Sequence, residues 1–395
     1  MKISNKIKAG ITGISGIIRH EFNIISHSYA ILLVLTGGIF VYGLLYNYMY
    51  APDLVRKVPV AAVDNSKTQL SREYIRLLNA TPQVRIVTTG TDFKEAQEMM
   101  KKDEVAGILY IPDNFDDRVS RGEESIFIMY ETTSAFLYYL AMQEASASSM
   151  LALNDRIRPE MIVFLPRNAA STLVSTQAIQ VAGTALYNYT EGYGTYLIPA
   201  VLIVIIFQTL MMLIGMISGQ ERHKRMLRYC GHPTFGRAAR LVMAKTFVYS
   251  MLYAIFCLFL LGLIPLMFGL PDIGNHWNVI ILLIPFLLAT CFFGLTASVV
   301  FTDSDAPLLM IAFFSVGLIF LSGVSYPLEL MPWYWRVSHY IIPAAPATLA
   351  YVKVNSMGAS IAGIHREFIT LWIQCGVYFF TACWAYMYNI RKVEQ

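Results

Sequence analysis

Glu221, Arg222, His223, Lys224, Arg225 and Arg228 crowd one acid, one histidine and four bases into a single short stretch, the densest charge in the chain. Such a cluster can dock on the surface of a partner protein, or it can hold a solvated loop on the basic side of a membrane. A Gly231-His232-Pro233 break follows, then Arg237 and Arg240, so a helix, a turn and a second helix are expected to project as a knob. The helical spacing of Met226, Leu227 and Tyr229 favours docking, and the topology-fixing role stands beside it.

Gly231 to Gly236 has the Gly-x-x-x-x-Gly spacing of a phosphate loop. Such a loop needs a Lys to reach the phosphates and a Ser or Thr to meet Mg²⁺. Arg237-Ala238 stand in those places and Pro233 interrupts the loop, so no ATP site and no cofactor is expected in this chain.

A second set of chemically capable residues, Asp64, Asp113, Asp116 and Asp117, lies in a polar block spanning residues 52–195. That block has no histidine, no cysteine and no Gly-x-Ser-x-Gly elbow, so neither a nucleophile and base nor a metal cluster can be assembled from it. No catalytic or metal-binding residue is expected, and the carboxylates read as turn and cap residues.

The elements that must carry these residues are membrane helices. Over 395 residues the chain is 56% hydrophobic and 14% charged, with a mean hydropathy of +0.52, too apolar for a soluble protein of this length. Uninterrupted apolar runs cover Ala30–Met49, Tyr196–Ser218, Thr246–Phe268, Val279–Phe301, Pro307–Tyr326 and Phe368–Tyr388. Each matches the roughly 17 to 25 residues that cross ~30 Å of hydrocarbon as a helix. None of the runs contains a charged residue or a histidine, which disfavours transport of protons or ions through buried titratable groups. The first run begins too far along the chain, and lacks the small-x-small cleavage site, to be read as a signal peptide, and is expected to be a retained anchor.

Basic residues set the orientation. Lys2, Lys6, Lys8 and Arg19 precede the first run, seven Lys or Arg lie in 219–245, and Arg391 and Lys392 end the chain; these segments are cytoplasmic by the positive-inside rule, with both termini inside. The formal net charge of +4 hides a split, because 52–195 carries 14 basic against 18 acidic residues. The basic side faces anionic lipid or a protein partner, and nothing argues for nucleic acid. Cys230, Cys257, Cys291, Cys375 and Cys383 all fall in spans or on the cytoplasmic side, so no disulfide is expected in the outer block.

Within the outer block, β-like runs at Val58–Val63, Val84–Thr88, Ala106–Ile111 and Ser125–Tyr130 alternate with helical ones at Leu70–Leu78, Phe93–Lys102 and Asp113–Arg121. Alternation of this kind reads as an α/β domain. Ser134–Ile157 and Ala169–Tyr187 have helical spacing and are expected to form a stalk. The fold expected is a polytopic α-helical membrane protein of six transmembrane helices, with an α/β extracytoplasmic domain (50–195) inserted between helix 1 (30–49) and the five-helix remainder (196–395).

Two further segments have a readable form. Ile3, Ile7, Ile11, Ile14, Ile18, Phe22 and Ile25 make one stripe of a helix within residues 1–29, read either as an interfacial helix lying along the inner leaflet or as one packed on the other cytoplasmic segments. After the fifth run come Ser322-Gly323, Pro327 and Met331-Pro332-Trp333, with Trp333 and Trp335 suited to the headgroup boundary. Tyr340–Ala350 is apolar yet too short to cross, so 327–367 is expected to be a re-entrant segment in the outer leaflet, its broken backbone sheltered by other helices.

The order Ser-Gly, Pro, Met-Pro-Trp, then Pro and Gly358, resembles the last outer segment of ABC transporter permeases of the type-2 exporter class. One span, a large outer domain and five more spans look like the subgroup with an enlarged extracytoplasmic head, and Val58–Val63 with Asp64-Asn65-Ser66, then Ile111-Pro112-Asp113-Asn114-Phe115, is similar to that head. The resemblance implies that 1–29 is a connecting helix and that Glu221, Arg222, His223, Lys224, Arg225 and Arg228 belong to a coupling segment that meets a separate ATPase subunit. The chain departs from the pattern there, with His223, Lys224 and Arg225 where Gly-Thr is frequent and Ala244-Lys245 where Gly-Lys is common.

By that resemblance the chain is a permease subunit of an ATP-driven exporter in the bacterial inner membrane, with ATP and Mg²⁺ bound by the partner ATPase. It would work with a second copy or a paralogue and move an amphipathic or lipid-like substrate such as a drug or lipid. Membrane lipid is a further partner, and a periplasmic adaptor with an outer-membrane channel is compatible with such a head. The rival from another class is a membrane-anchored receptor or envelope scaffold that binds a partner through its outer domain. Stoichiometric co-purification of an ATPase separates the two.

Overall fold

The computed structural model describes residues 14–50, 55–90, 92–120, 128–131, 136–164, 192–223, 234–270, 272–299 and 306–394. The chain divides into two compact units, Leu54–Thr184 and the remainder, Met1–Asp53 with Ala185–Gln395. Ile3, Ile7 and Ile11, the stalk stretch Ala169–Tyr187, and Lys224, Arg225, Arg228 and Gly231–Pro233 lie outside the described residues.

The larger unit begins with α1 (Ile14–His27) and α2 (Tyr29–Met49), separated by Ser28, whose backbone is extended. The apolar stripe foreseen on α1 is packed in part, with Ile25 buried and Ile18 half-buried against the core. Ile17, Glu21 and Ile25 are buried, whereas Ile14 and Phe22 are exposed. Residues at i, i+4 and i+8 share a helix face, so the two sets form neighbouring stripes, one packed and one left outward.

In the second unit β1 (Val58–Asp64), α3 (Gln69–Ala80), β2 (Val84–Thr89), α4 (Phe93–Lys101), β3 (Gly107–Ile111), α5 (Phe115–Ser120), β4 (Ile128–Glu131) and α6 (Phe136–Phe164) follow in order. The sheet order is β2-β1-β3-β4, with β1 parallel to β2 and β3, and β4 antiparallel to β3. Central β1 reads Val-Pro-Val-Ala-Ala-Val-Asp and is buried on both faces, as a strand covered by helices on either side must be. Val60, Ala62 and Leu109 pack with Tyr74 and Leu78 of α3 and Met142 of α6; Ala61, Val63 and Ile108 pack with Ala96 of α4 on the opposite face.

The polar residues of this unit sit in its turns. Asp64 ends β1, accepting from Lys67 N at 3.0 Å and from the Ser71 hydroxyl at 2.7 Å, while Thr68 and Ser71 form a capping box that starts α3. Asp116 and Asp117 lie in the first turn of α5, where a carboxylate suits the helix dipole.

The larger unit resumes with α7 (Tyr193–His223), α8 (Phe235–Phe268), α9 (His276–Ala297), α10 (Ala306–Leu321), α11 (Trp333–Ile341), α12 (Ala344–Met357) and α13 (His365–Glu394). Among the described residues five helices are long and apolar enough to cross a membrane: α2, α7, α8, α9 and the Ile361–Arg391 stretch that contains most of α13. The chain is a polytopic helical membrane protein. The run expected at Pro307–Tyr326 holds α10, whose 16 described residues rise about 24 Å. It ends early because Ser322-Gly323 turns the chain: Gly323 has φ +84°, and the Ser322 hydroxyl donates to Ile319 O while accepting from Val324 N.

Helix α7 is the axis of the bundle, packed on α2, α8, α9, α10 and α12. Of its most apolar stretch 94% is buried, against 28 to 56% for the other four spanning helices, which keep an outward face. Small residues set the closest approaches, since a Cβ at Gly38 of α2 would come within 2.7 Å of Thr209 and one at Gly294 of α9 within 2.9 Å of Ile214.

Candidate functional site

Three helices that the chain visits far apart meet at the end where α7 finishes. Lys245 Nζ of α8 lies 2.6 Å from Glu21 Oε1 of α1 and 2.7 Å from Glu221 Oε1 of α7, and the Tyr249 hydroxyl donates to Glu21 Oε2 at 2.6 Å. All are buried, and the ammonium stands 6.0 Å from the centre of the Tyr386 ring of α13. Burial alone would raise the Glu21 carboxyl, but the Lys245 charge and the hydrogen bonds from Lys245 and Tyr249 outweigh it and hold the group below its ordinary value.

An ammonium shared by two carboxylates is held far more firmly than a solvated surface pair, because removing the ammonium would strand two buried carboxylates. The arrangement therefore pins α1 to the roots of α7 and α8. Next to it Gln220 Nε2 donates to the Ser28 hydroxyl at 3.0 Å, and Arg222 Nη1 donates to Val299 O beyond the end of α9 at 2.6 Å. Of the six charged residues singled out in the sequence, Glu221 is buried in the cluster, Arg222 is half-buried on Val299 and His223 closes α7. Glu21, Lys245 and Tyr249 are the members that the sequence did not mark as a group. The signal available was a single acid at Glu21 inside an apolar helix and a single base at the edge of an uncharged run.

A cavity of about 430 Å³ opens between α2, α7 and α10, lined by Gly38, Tyr42 and Tyr46, Val204 and Gln208, and Leu308, among others. Its walls are mostly apolar with a few polar groups, the make-up of sites for small lipophilic ligands. Thr209 borders it, but its hydroxyl donates to Ile205 O at 2.7 Å, which leaves Gln208 and the tyrosines as the groups able to orient a ligand. Gly37 and Gly38 open a π-helical stretch of α2 (Gly37–Val41), a local widening that recurs where helices serve a function.

The segment foreseen as re-entrant lies where α7 begins. Its break falls at Ile342-Pro343 between α11 and α12, and α12 is buried against α7, α9 and α13. Backbone carbonyls near the break are met by side chains: Gln374 Nε2 donates to Tyr340 O at 2.8 Å, the Tyr378 hydroxyl to Ile341 O at 2.5 Å, and His339 Nδ1 to Leu321 O at 2.8 Å. Of the residues picked out there, Ser322 and Met331 are buried, Gly323 makes the turn, Pro327 leads into a short 3₁₀ turn, Pro332 caps α11, and Trp333 is 73% exposed. Tyr196 near the start of α7 donates to Val324 O and ties this end together.

Among the described residues no three His, Cys, Asp or Glu side chains come together in a way that could hold a metal ion. A comparison with curated proteins gives no match. The sequence model of ABC-2 family transporter proteins, however, matches residues 28–384, from the residue before α2 into α13. The chain thus belongs to the ABC-2 transporter family, as a membrane permease subunit of an ABC transporter whose family role is transport and whose working assembly implies a separate ATP-binding partner.

Proposed function

We propose that this chain is one half of the permease of an ATP-driven exporter that moves an amphipathic or lipid-like compound out of the cytoplasm or the membrane itself. In this reading it lies in the bacterial inner membrane with six spans, α10 supplying the sixth, and with both termini in the cytoplasm. The unit formed by residues 54–184 stands outside the cytoplasm. A second copy or a paralogue completes the permease, and a pair of ATPase subunits beneath it binds ATP and Mg²⁺. A periplasmic adaptor and an outer-membrane channel are compatible with the outer unit.

The observation that carries the cargo reading is the cavity between α2, α7 and α10, which is apolar, open, and provided with Gln208, Tyr42 and Tyr46 as polar handles. The coupling reading is supported by the ion cluster. Glu221 and Arg222 act in it through Lys245, Glu21 and Val299, which make them positioning residues, whereas His223, Lys224, Arg225 and Arg228 follow as the part of the segment that meets the ATPase. A push on that segment reaches α1, α8 and the end of α9 together because the bonds of the cluster do not stretch.

The test is reconstitution in lipid vesicles with the companion ATPase, reading ATP hydrolysis against added lipophilic compounds. Stimulation is expected, and Val204→Trp, which fills the cavity, is expected to abolish it while leaving basal hydrolysis in place. Failure of the ATPase to co-purify would overturn the permease reading; equal stimulation of both proteins would overturn only the assignment of cargo to this cavity.

A further inference from the structure

A second concave feature lies between α1 and α8, a groove of about 470 Å³ lined by Ile14 and Ile18 on one wall and Ala239, Arg240, Met243 and Phe247 on the other. The wall from α1 is the stripe that packing leaves outward, with Ile14 and Phe22 about half exposed. The wall from α8 continues along that helix as Met243, Phe247, Met251, Ile255 and Leu258, spaced four, four, four and three apart and each more than half exposed. On a helix that crosses the bilayer such a stripe faces hydrocarbon. The groove is thus a side pocket of the lipid phase that reaches in beside the buried Lys245.

We propose that this groove holds an acyl chain of an anionic membrane phospholipid whose phosphate rests against Arg240. Arg240 is the one charged residue among the described lining residues, and it is exposed; its Nε donates to the neutral Gly236 O at 3.3 Å, and among the described residues it makes no ion pair with a carboxylate. Guanidinium and phosphate are matched in charge and geometry. An extended peptide segment is a poor occupant, since its amides would be buried against side chains that offer them almost no hydrogen bonds. A lipid tail has no such groups. Seated there, the lipid fills the space between α1 and α8 next to the ion cluster and holds the interfacial helix down. The inference needs only that the chain is a membrane protein and stands apart from the cargo reading.

The test uses the full chain purified in mild detergent, titrated with phosphatidylglycerol or with phosphatidylcholine of the same acyl chains, and read by native mass spectrometry. Phosphatidylglycerol is expected to be retained about five-fold better, the equivalent of ~1 kcal/mol for one basic residue at an anionic surface. Arg240→Gln, an exposed change, is expected to bring that ratio to about one. Ala239→Trp, which fills the groove, is expected to lower retention of both lipids, and Ile18→Asn on the opposite wall provides the same reading should the tryptophan disturb folding. Equal retention of the two lipids by the parent chain, or an unchanged ratio in Arg240→Gln, would overturn the proposal.

Discussion

Lys245 Nζ and Glu21 Oε1 lie 2.6 Å apart although 224 residues of chain separate them, and the same nitrogen is 2.7 Å from Glu221 Oε1. One cation thus binds carboxylates from two other helices at a site water does not reach. Truncating Lys245 to Met would leave both acids buried without a counter-charge. The expected cost is about 3–5 kcal/mol, the range for removing one partner of a buried pair. Thermal unfolding of the detergent-solubilised chain measures it. The triple variant Glu21→Gln, Glu221→Gln, Lys245→Met has no charge to strand and is expected to recover most of that loss. If the triple variant unfolds at the same temperature as Lys245→Met, the cost comes from lost packing and not from charge.

The pH dependence follows from Glu21, whose carboxyl the Lys245 charge and the Tyr249 hydrogen bond hold below its ordinary 4.5 against the opposing effect of burial. A carboxyl with a lowered folded-state value binds its proton more readily in the unfolded chain. Its contribution is therefore full above about the ordinary value and is lost as pH falls through the lower folded one. Unfolding temperatures taken from pH 7 downward are expected to separate parent from Glu21→Gln at neutral pH. The two curves should converge at pH values below 4.5. A gap that stays constant through the acid range would show that Glu21 does not titrate with folding.

Much of this was written in the sequence in the form of composition and much was not. Five apolar runs became helices long enough to span because twenty uncharged residues in hydrocarbon have only one way to satisfy their amides. In the run at Pro307–Tyr326 the described helix closes at Ser322 and Gly323, before the apolar run does, because apolarity marks what lipid tolerates and does not mark where a helix stops. On α1 the stripe of Ile14, Ile18, Phe22 and Ile25 was legible as apolar, yet only Ile25 of it is fully buried, and the packed face also takes Ile17 and Glu21. Periodicity finds a face that avoids water and cannot distinguish lipid from protein. The cluster was least legible of all: Glu221 sat in a charged stretch that reads as solvated, and no local pattern joins it to Glu21 or Lys245. Pairing across that many residues is decided by the fold.

At the opposite end of α7 the hydrogen bonds around Ile342-Pro343 make a sharper prediction than packing does. Gln374 and Tyr378, four residues apart on α13, donate to the consecutive carbonyls of Tyr340 and Ile341, which the break before α12 would otherwise leave without partners. Gln374→Leu keeps the size of the side chain and removes the donor, and Tyr378→Phe removes only a hydroxyl. Each is expected to destabilise the chain by about 0.5–1.5 kcal/mol, the net worth of one hydrogen bond to an acceptor that is not fully buried. The two carbonyls adjoin, so the double variant should depart from the sum of the single ones, as neighbouring sites do. Hydrogen exchange offers the local check: amides of α11 and the first turn of α12 should exchange faster in either variant while those of α9 stay protected. Faster exchange spread evenly over α9 and α11 would place the damage in general packing of α13 and remove the carbonyls from the account.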